Sequence, residues 1–168
     1  LPHRLWEAAE NATPEQGLIF VDRRGEDTHY SWATILNRAQ QTAGWLQTQG
    51  IGMHDRICIV LPTGIEFFDI FFAAQILGAV PVPLYPPLRL GKMDTYVDRT
   101  VAMLTAVNAA MLVTNRRVSR VLGRVVERYT PPKGFHTLDS IDLSQQSPIT
   151  EICPELTTDN LAMAQFSS

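Results

Sequence analysis

The spacing of hydrophobic residues changes several times along this chain, and each change marks an element. Leu18-Ile19-Phe20-Val21-Asp22 and Thr28-His29-Tyr30 flank the polar, glycine-containing Arg23-Arg24-Gly25-Glu26-Asp27, which predicts a hairpin. From Ser31, a favoured N-cap residue, apolar side chains fall at Trp32, Ile35, Leu36, Ala39, Ala43 and Leu46, the stripe of a helix that Gly50 closes. Ile57-Cys58-Ile59-Val60-Leu61 shows no polar alternation, which predicts a strand covered on both faces. The pattern assigns no element ahead of Leu18.

Pro62-Thr63-Gly64 breaks that strand and leads into a helix over 65–77. Phe67, Phe68, Phe71 and Phe72 make it apolar nearly all round, so it is expected at the centre of the fold. Glu66 then complements the helix dipole in the first turn, and Asp69 takes the polar edge. Ala79 to Leu84 reads as a short strand whose prolines, Pro81 and Pro83, suit a strand end or a sheet edge. Tyr85-Pro86-Pro87 continues as stiff extended chain, either one wall of a pocket or a plain crossover.

A helix over 93–107 carries Met93, Tyr96, Val97, Thr100, Leu104 and Val107 on one face, and Ala110 to Thr114 is the next strand. A further helix from Arg116 to Tyr129 buries Val118, Val121, Leu122 and Val125. Pro131-Pro132 stops it, and Phe135 to Leu138 is a short strand. Residues 139–160 are polar and read as a loop or linker before a last strand that ends at Phe166. Strands alternating with helices predict an α/β fold with a doubly wound, mostly parallel sheet and flanking helices, filling one domain over 1–168. In such sheets ligands gather at the C-terminal ends of the strands.

Composition narrows the function classes. Hydrophobic residues make up 45% and charged residues 18%, an ordinary globular balance, and a net charge of −3 offers no general basicity for nucleic acid. Cys58 and Cys153 lie far apart without a CxxC spacing, which suits a reducing, cytoplasmic setting. Leu1-Pro2-His3-Arg4 precedes no apolar leader segment. The longest apolar stretch, Ile65 to Leu84, is interrupted by Glu66, Asp69, Gln75, Pro81 and Pro83 and does not read as a membrane span.

Several chemistries lack their signatures. His3, His29, His54 and His136 are scattered, with no HExxH, and G-x-S-x-G, G-x-G-x-x-G and G-x-x-x-x-G-K-[ST] do not occur. No catalytic residue and no metal ligand is assigned. Arg116, Arg120, Arg124 and Arg128 recur every fourth residue, with Arg117 beside them. That row is either a solvated helix face or a dock for an acidic partner, the reading that would make the chain a non-catalytic interaction module. At the end of the chain, Gln165-Phe166-Ser167-Ser168 brings hydroxyls to the end of the last strand, and such loops wrap phosphate oxygens with hydroxyl and N–H groups.

Taken in order, these segments resemble the opening of an adenylate-forming enzyme. The resemblance rests on Thr28-His29-Tyr30-Ser31, Asp55-Arg56-Ile57-Cys58-Ile59-Val60-Leu61, Gly64-Ile65-Glu66-Phe67 and Gly78-Ala79-Val80-Pro81-Val82-Pro83. Pro83-Leu84-Tyr85-Pro86-Pro87-Leu88-Arg89-Leu90-Gly91 is similar to the fatty acyl-AMP ligase branch, where acyl-CoA ligases and peptide-synthetase adenylation domains usually differ. The resemblance implies activation of a fatty acid by ATP with Mg²⁺ to acyl-AMP and pyrophosphate, then transfer to the phosphopantetheine thiol of an acyl carrier protein. An acyl-CoA ligase or a peptide-synthetase adenylation domain is the alternative. It also implies that Ser167 and Ser168 begin the phosphate loop and that the remaining ATP and Mg²⁺ groups of the family have no counterpart here. The chain then corresponds to the N-terminal part of such an enzyme and is expected to be inactive alone.

Overall fold

The computed structural model describes residues 2–22, 24–87 and 93–167. Ser168 and Leu88 to Gly91, which the sequence reading used, lie outside them. The elements are α1 (Pro2–Asn11), β1 (Gly17–Val21), β2 (Asp27–Ser31), α2 (Trp32–Thr48), β3 (Arg56–Val60), α3 (Ile65–Ile76), β4 (Val80–Pro83), α4 (Met93–Ala106), β5 (Met111–Thr114), α5 (Arg116–Val126) and β6 (Phe135–Thr137). β1 and β2 form the antiparallel hairpin, in register from Gly17 opposite Ser31 to Val21 opposite Asp27. The remaining strands form one parallel sheet in the order β4-β3-β5-β6. The α/β, doubly wound reading is correct.

Local chemistry sets the boundaries. The Ser31 hydroxyl accepts the Thr34 N–H at 3.2 Å and opens α2, and the Asn115 side chain accepts the Val118 N–H at 3.0 Å and opens α5. Gly50, at φ 77°, takes the left-handed position that ends α2. Each face of the central strand feeds a different core. Ile57 and Ile59 pack with α2 and α3, while Cys58 and Val60 pack with α4 and α5. That two-sided burial is what the uninterrupted apolar run encodes.

Three features depart from the sequence reading. First, α1 precedes the hairpin, burying Pro2 and Leu5. Second, Asp69 is not on a polar edge: it is fully buried. Both of its carboxylate oxygens accept from Arg38 of α2, at 2.9 and 2.6 Å. Ile70, Ala73, Ala74 and Ile76 form the buried side of α3, and the four phenylalanines are only half-buried. α3 thus has one buried face instead of being enclosed all round.

Third, the expected last strand does not form within the described residues. Residues 161–167 carry no strand structure and run beside β4, where the Ala164 N–H reaches the Pro81 carbonyl at 3.1 Å. β4 explains this. Val80 and Leu84 donate toward β3, so the alternating positions 81 and 83 turn outward, and both are prolines without an N–H. The outer edge of the sheet can accept hydrogen bonds there but has no donor at those positions.

The segment leading to this edge is tied down along its length. Residues 139–160 hold two short 3₁₀ turns, one of them Leu143–Gln145, and otherwise have no regular structure. The Ile149 N–H bonds the Gln40 carbonyl at 3.0 Å, and the Cys153 N–H bonds the Ile76 carbonyl at 2.9 Å. The Ser147 carbonyl passes so close to Gly44 of α2 that a Cβ there would lie 1.9 Å from its oxygen. A glycine inside a helix costs about 1 kcal/mol against alanine, and here it admits the crossing backbone.

Candidate functional site

The C-terminal ends of β3 and β4 open onto a cavity of about 570 Å³, whose walls include Leu61, Phe68, Pro83, Tyr85, Met103 and Phe166. Its lining is mainly apolar. The stiff segment after β4 therefore forms a pocket wall, one of the two readings open at the sequence level. The Tyr96 hydroxyl of α4 braces it by donating to the Tyr85 carbonyl at 3.1 Å. Burial pushes the Tyr96 hydroxyl pKa upward, so it remains a protonated donor at neutral pH. At the neighbouring strand ends, the buried Thr114 hydroxyl donates to the Val60 carbonyl at 2.8 Å, locking β5 to β3 at the same rim.

Gln165 and Phe166 complete one side of the cavity, and Ser167 follows them, exposed. The approach to Ser167 is fixed from α3. Gln75 is 3% exposed, and its side-chain N–H donates to the Ala162 carbonyl at 3.0 Å. The sequence reading gave this residue no role beyond interrupting an apolar run. A lone amide in Phe71 to Leu77 was the available signal.

The other candidate groups are not brought together. Among the described residues, no group of three or more His, Cys, Asp or Glu side chains could hold a metal ion. His136 packs edge-on against Trp45, with ring centroids 5.3 Å apart, and its Nε2 lies 3.0 Å from the Lys133 carbonyl. The arginine row is divided: Arg124 pairs with Asp94 at 2.8 Å and Arg128 with Asp98 at 2.5 Å, so α4 neutralises the C-terminal half of that face. The Asp139 carboxylate accepts the Arg116 backbone N–H at 3.0 and 3.2 Å, occupying the N-terminus of α5. No helix among the described residues is long and apolar enough to cross a membrane.

Comparison with known proteins decides the family. A family model described as AMP-binding enzyme matches residues 6–168. The chain belongs to the AMP-binding enzyme family. Within it, the chain is similar to the medium-chain fatty-acid–CoA ligase of Escherichia coli (strain K12), 34% identical over 99 residues, which cover 59% of this chain and 17% of that enzyme. It is also similar to the long-chain-fatty-acid–AMP ligase FadD23 of Mycobacterium tuberculosis (strain CDC 1551 / Oshkosh), 29% identical over 152 residues, 88% of this chain and 24% of that enzyme. The chain thus spans less than a quarter of either relative's length. A structure from a study of fatty acyl-adenylate ligases of E. coli and L. pneumophila superimposes with a TM-score of 0.78 at 22% identity, covering 96% of this chain and 28% of the other. At that identity the likeness establishes the AMP-binding fold.

Proposed function

We propose that this AMP-binding chain belongs to a ligase that activates a fatty acid with ATP. A carboxylate oxygen of the fatty acid attacks the α-phosphorus, the bond from that phosphorus to the bridging oxygen breaks, and pyrophosphate leaves with the electron pair. The product is acyl-AMP. In the second step the phosphopantetheine thiol of an acyl carrier protein attacks the acyl carbon, AMP departs, and a thioester forms. Such a reaction belongs in the cytoplasm, where ATP and carrier protein are both present.

The single observation that carries this reading is the apolar cavity at the strand ends, with Phe166 in its wall and Ser167 directly after it. An alkyl chain gains about 0.8 kcal/mol per buried CH₂, so a greasy wall beside a phosphate-binding loop favours a fatty acid over a polar acid. In this reading Ser167 and Ser168 begin the loop that surrounds the ATP phosphates, giving hydroxyl donors to a developing negative charge. Mg²⁺ accompanies ATP in this reading; among the described residues no group of three or more His, Cys, Asp or Glu side chains gathers to hold it, and no step is assigned to the ion. Residues 1–168 expressed alone are expected to give no ATP–pyrophosphate exchange.

A second reading changes the acceptor. The 34% identity to a medium-chain fatty-acid–CoA ligase supports CoA as the thiol that receives the acyl group. ATP–pyrophosphate exchange by the full-length protein tests the shared first step, and it should depend on medium- or long-chain fatty acid. Absence of fatty-acid-dependent exchange rejects both readings. Mass spectrometry with CoA and with phosphopantetheinylated carrier protein then separates them, and the carrier protein bearing the acyl thioester is the expected product.

A further inference from the structure

Gln75 is polar where the fold calls for an apolar residue. It lies near the end of α3, 3% exposed, beside the buried Ala73, Ala74 and Ile76. Its Nε2 donates to the Ala162 carbonyl at 3.0 Å, while its Oε1 is buried with no hydrogen-bond partner among the described residues. A half-satisfied buried amide costs stability relative to an apolar side chain of the same shape. Its partner, the Ala162 carbonyl, belongs to an exposed residue, so the bond secures a surface segment and not the core. Stability alone therefore gives no reason for a glutamine here.

Position gives one. Residues 161–167 reach Ser167 along an edge where Pro81 and Pro83 have no N–H to give, so a regular ladder cannot hold them. Beside the packing of Ala164 and Phe166 on the second core, the hydrogen bonds that tie them to the sheet and to α3 among the described residues are the one from Ala164 to Pro81 and, two residues earlier, the one from Gln75 to Ala162. The glutamine amide stands in for a missing ladder donor, supplied from a helix instead of from the neighbouring strand.

We infer that Gln75 is a positioning residue for nucleotide binding: it fixes the path of residues 161–167 and so presents the start of the phosphate loop to ATP. This rests on the proposed phosphate role of Ser167 and Ser168, and it deepens that reading by naming the group that fixes the approach to Ser167. Gln75 acts through the backbone of Ala162 and touches no substrate.

The test is Gln75→Met in the full-length protein, which keeps the side-chain volume and removes both the donor and the orphaned oxygen. Thermal stability should stay within about 2 °C, because an unsatisfied buried acceptor leaves the core as the hydrogen bond is lost. Exchange of the Ala164 amide with solvent should accelerate about tenfold. The dissociation constant for ATP, measured by equilibrium titration without fatty acid, should rise about fivefold, with the KM for fatty acid unchanged. Gln75→Asn keeps an amide but withdraws it by one methylene, and it should weaken ATP binding in the same direction if the methionine variant folds poorly. Unchanged Ala164 exchange overturns the tie itself. Faster exchange with unchanged ATP affinity overturns its role in nucleotide binding. The fatty acid reading fails on a separate measurement, the exchange assay on the unaltered protein, and leaves both of these readouts standing.

Discussion

The Asp69 carboxylate reaches no water, and Arg38 takes both of its oxygens. Burial holds its pKa above the ordinary carboxylate value even though the Arg38 bonds pull it down, and the same pairing raises that of Arg38. Removing one partner of such a pair strands a buried charge. Arg38→Met should therefore cost about 3 kcal/mol in urea unfolding, the low end for buried pairs because Arg38 is partly exposed, and Arg38→Met with Asp69→Leu should recover most of it. The pH dependence has a definite sign. A carboxyl whose pKa is raised by folding contributes most below its unfolded pKa and loses that contribution as pH rises through the folded value. The Arg38→Met deficit should accordingly shrink as pH falls from neutral toward the carboxylate range. Ser167→Ala and Ser168→Ala should each lower kcat/KM for ATP about ten- to a hundredfold, the worth of a hydrogen bond to a charged phosphate, with the larger loss at Ser168 and the KM for fatty acid nearly unchanged. Asp69 was misread in the sequence because the residue that makes its burial tolerable lies 31 positions away, on another helix. Helical spacing predicts which face a residue occupies, but not that a distant arginine will follow it inside.

α3 shows how far composition can mislead at the scale of an element. Phe67, Phe68, Phe71 and Phe72 suggest a helix enclosed all round, yet the close packing falls to Ile70, Ala73, Ala74 and Ile76, while Phe67 stacks on Phe71, the Phe67–Phe68 and Phe71–Phe72 pairs meet edge to face, and Phe68 faces the cavity. Ile70→Ala should cost about 2–5 kcal/mol by denaturant titration, and Phe71→Ala about 1–2 kcal/mol because its ring is only partly buried. A greater loss at Phe71 than at Ile70 would reverse the assignment of the buried face. The two misplaced elements have different causes. α1 sets few residues against the core, Pro2 and Leu5 being its buried ones, so no apolar stripe announces it. The terminal segment has the composition of a strand, but its pairing depends on what the neighbouring edge can donate. Pro81 and Pro83 carried that information, and alternation in one sequence segment has to be read against alternation in another.

For the whole molecule, the layer order was legible because the strands between helices are short apolar runs and because Gly50, Gly78 and Pro131-Pro132 mark where α2, α3 and α5 stop, while α4 stops at Asn108, which takes the left-handed position at φ 47°. The cavity was legible only in outline: its place at the strand ends follows from topology, whereas Met103 comes from the far side of the sheet by a crossover that no local pattern specifies. The sheet also separates the two thiols chemically. Cys58, inside the second core, has its pKa raised by burial to about 12, while Cys153 is partly exposed and donates to Glu155 at 3.0 Å. Site-resolved alkylation of the native protein should modify Cys153 and leave Cys58 intact until the fold is denatured; equal labelling would contradict a sealed β3. The proline-bearing edge has a consequence during synthesis as well. Until residue 164 has left the ribosome, β4 borders the sheet with nothing beside it, and an open edge is where nascent chains stick to one another. An edge whose outward positions cannot donate is a poor template for a stranger's strand, and the three-residue β6 offers little purchase on the other side. The same two prolines that leave the last segment loosely fastened thus guard the unfinished protein against aggregation.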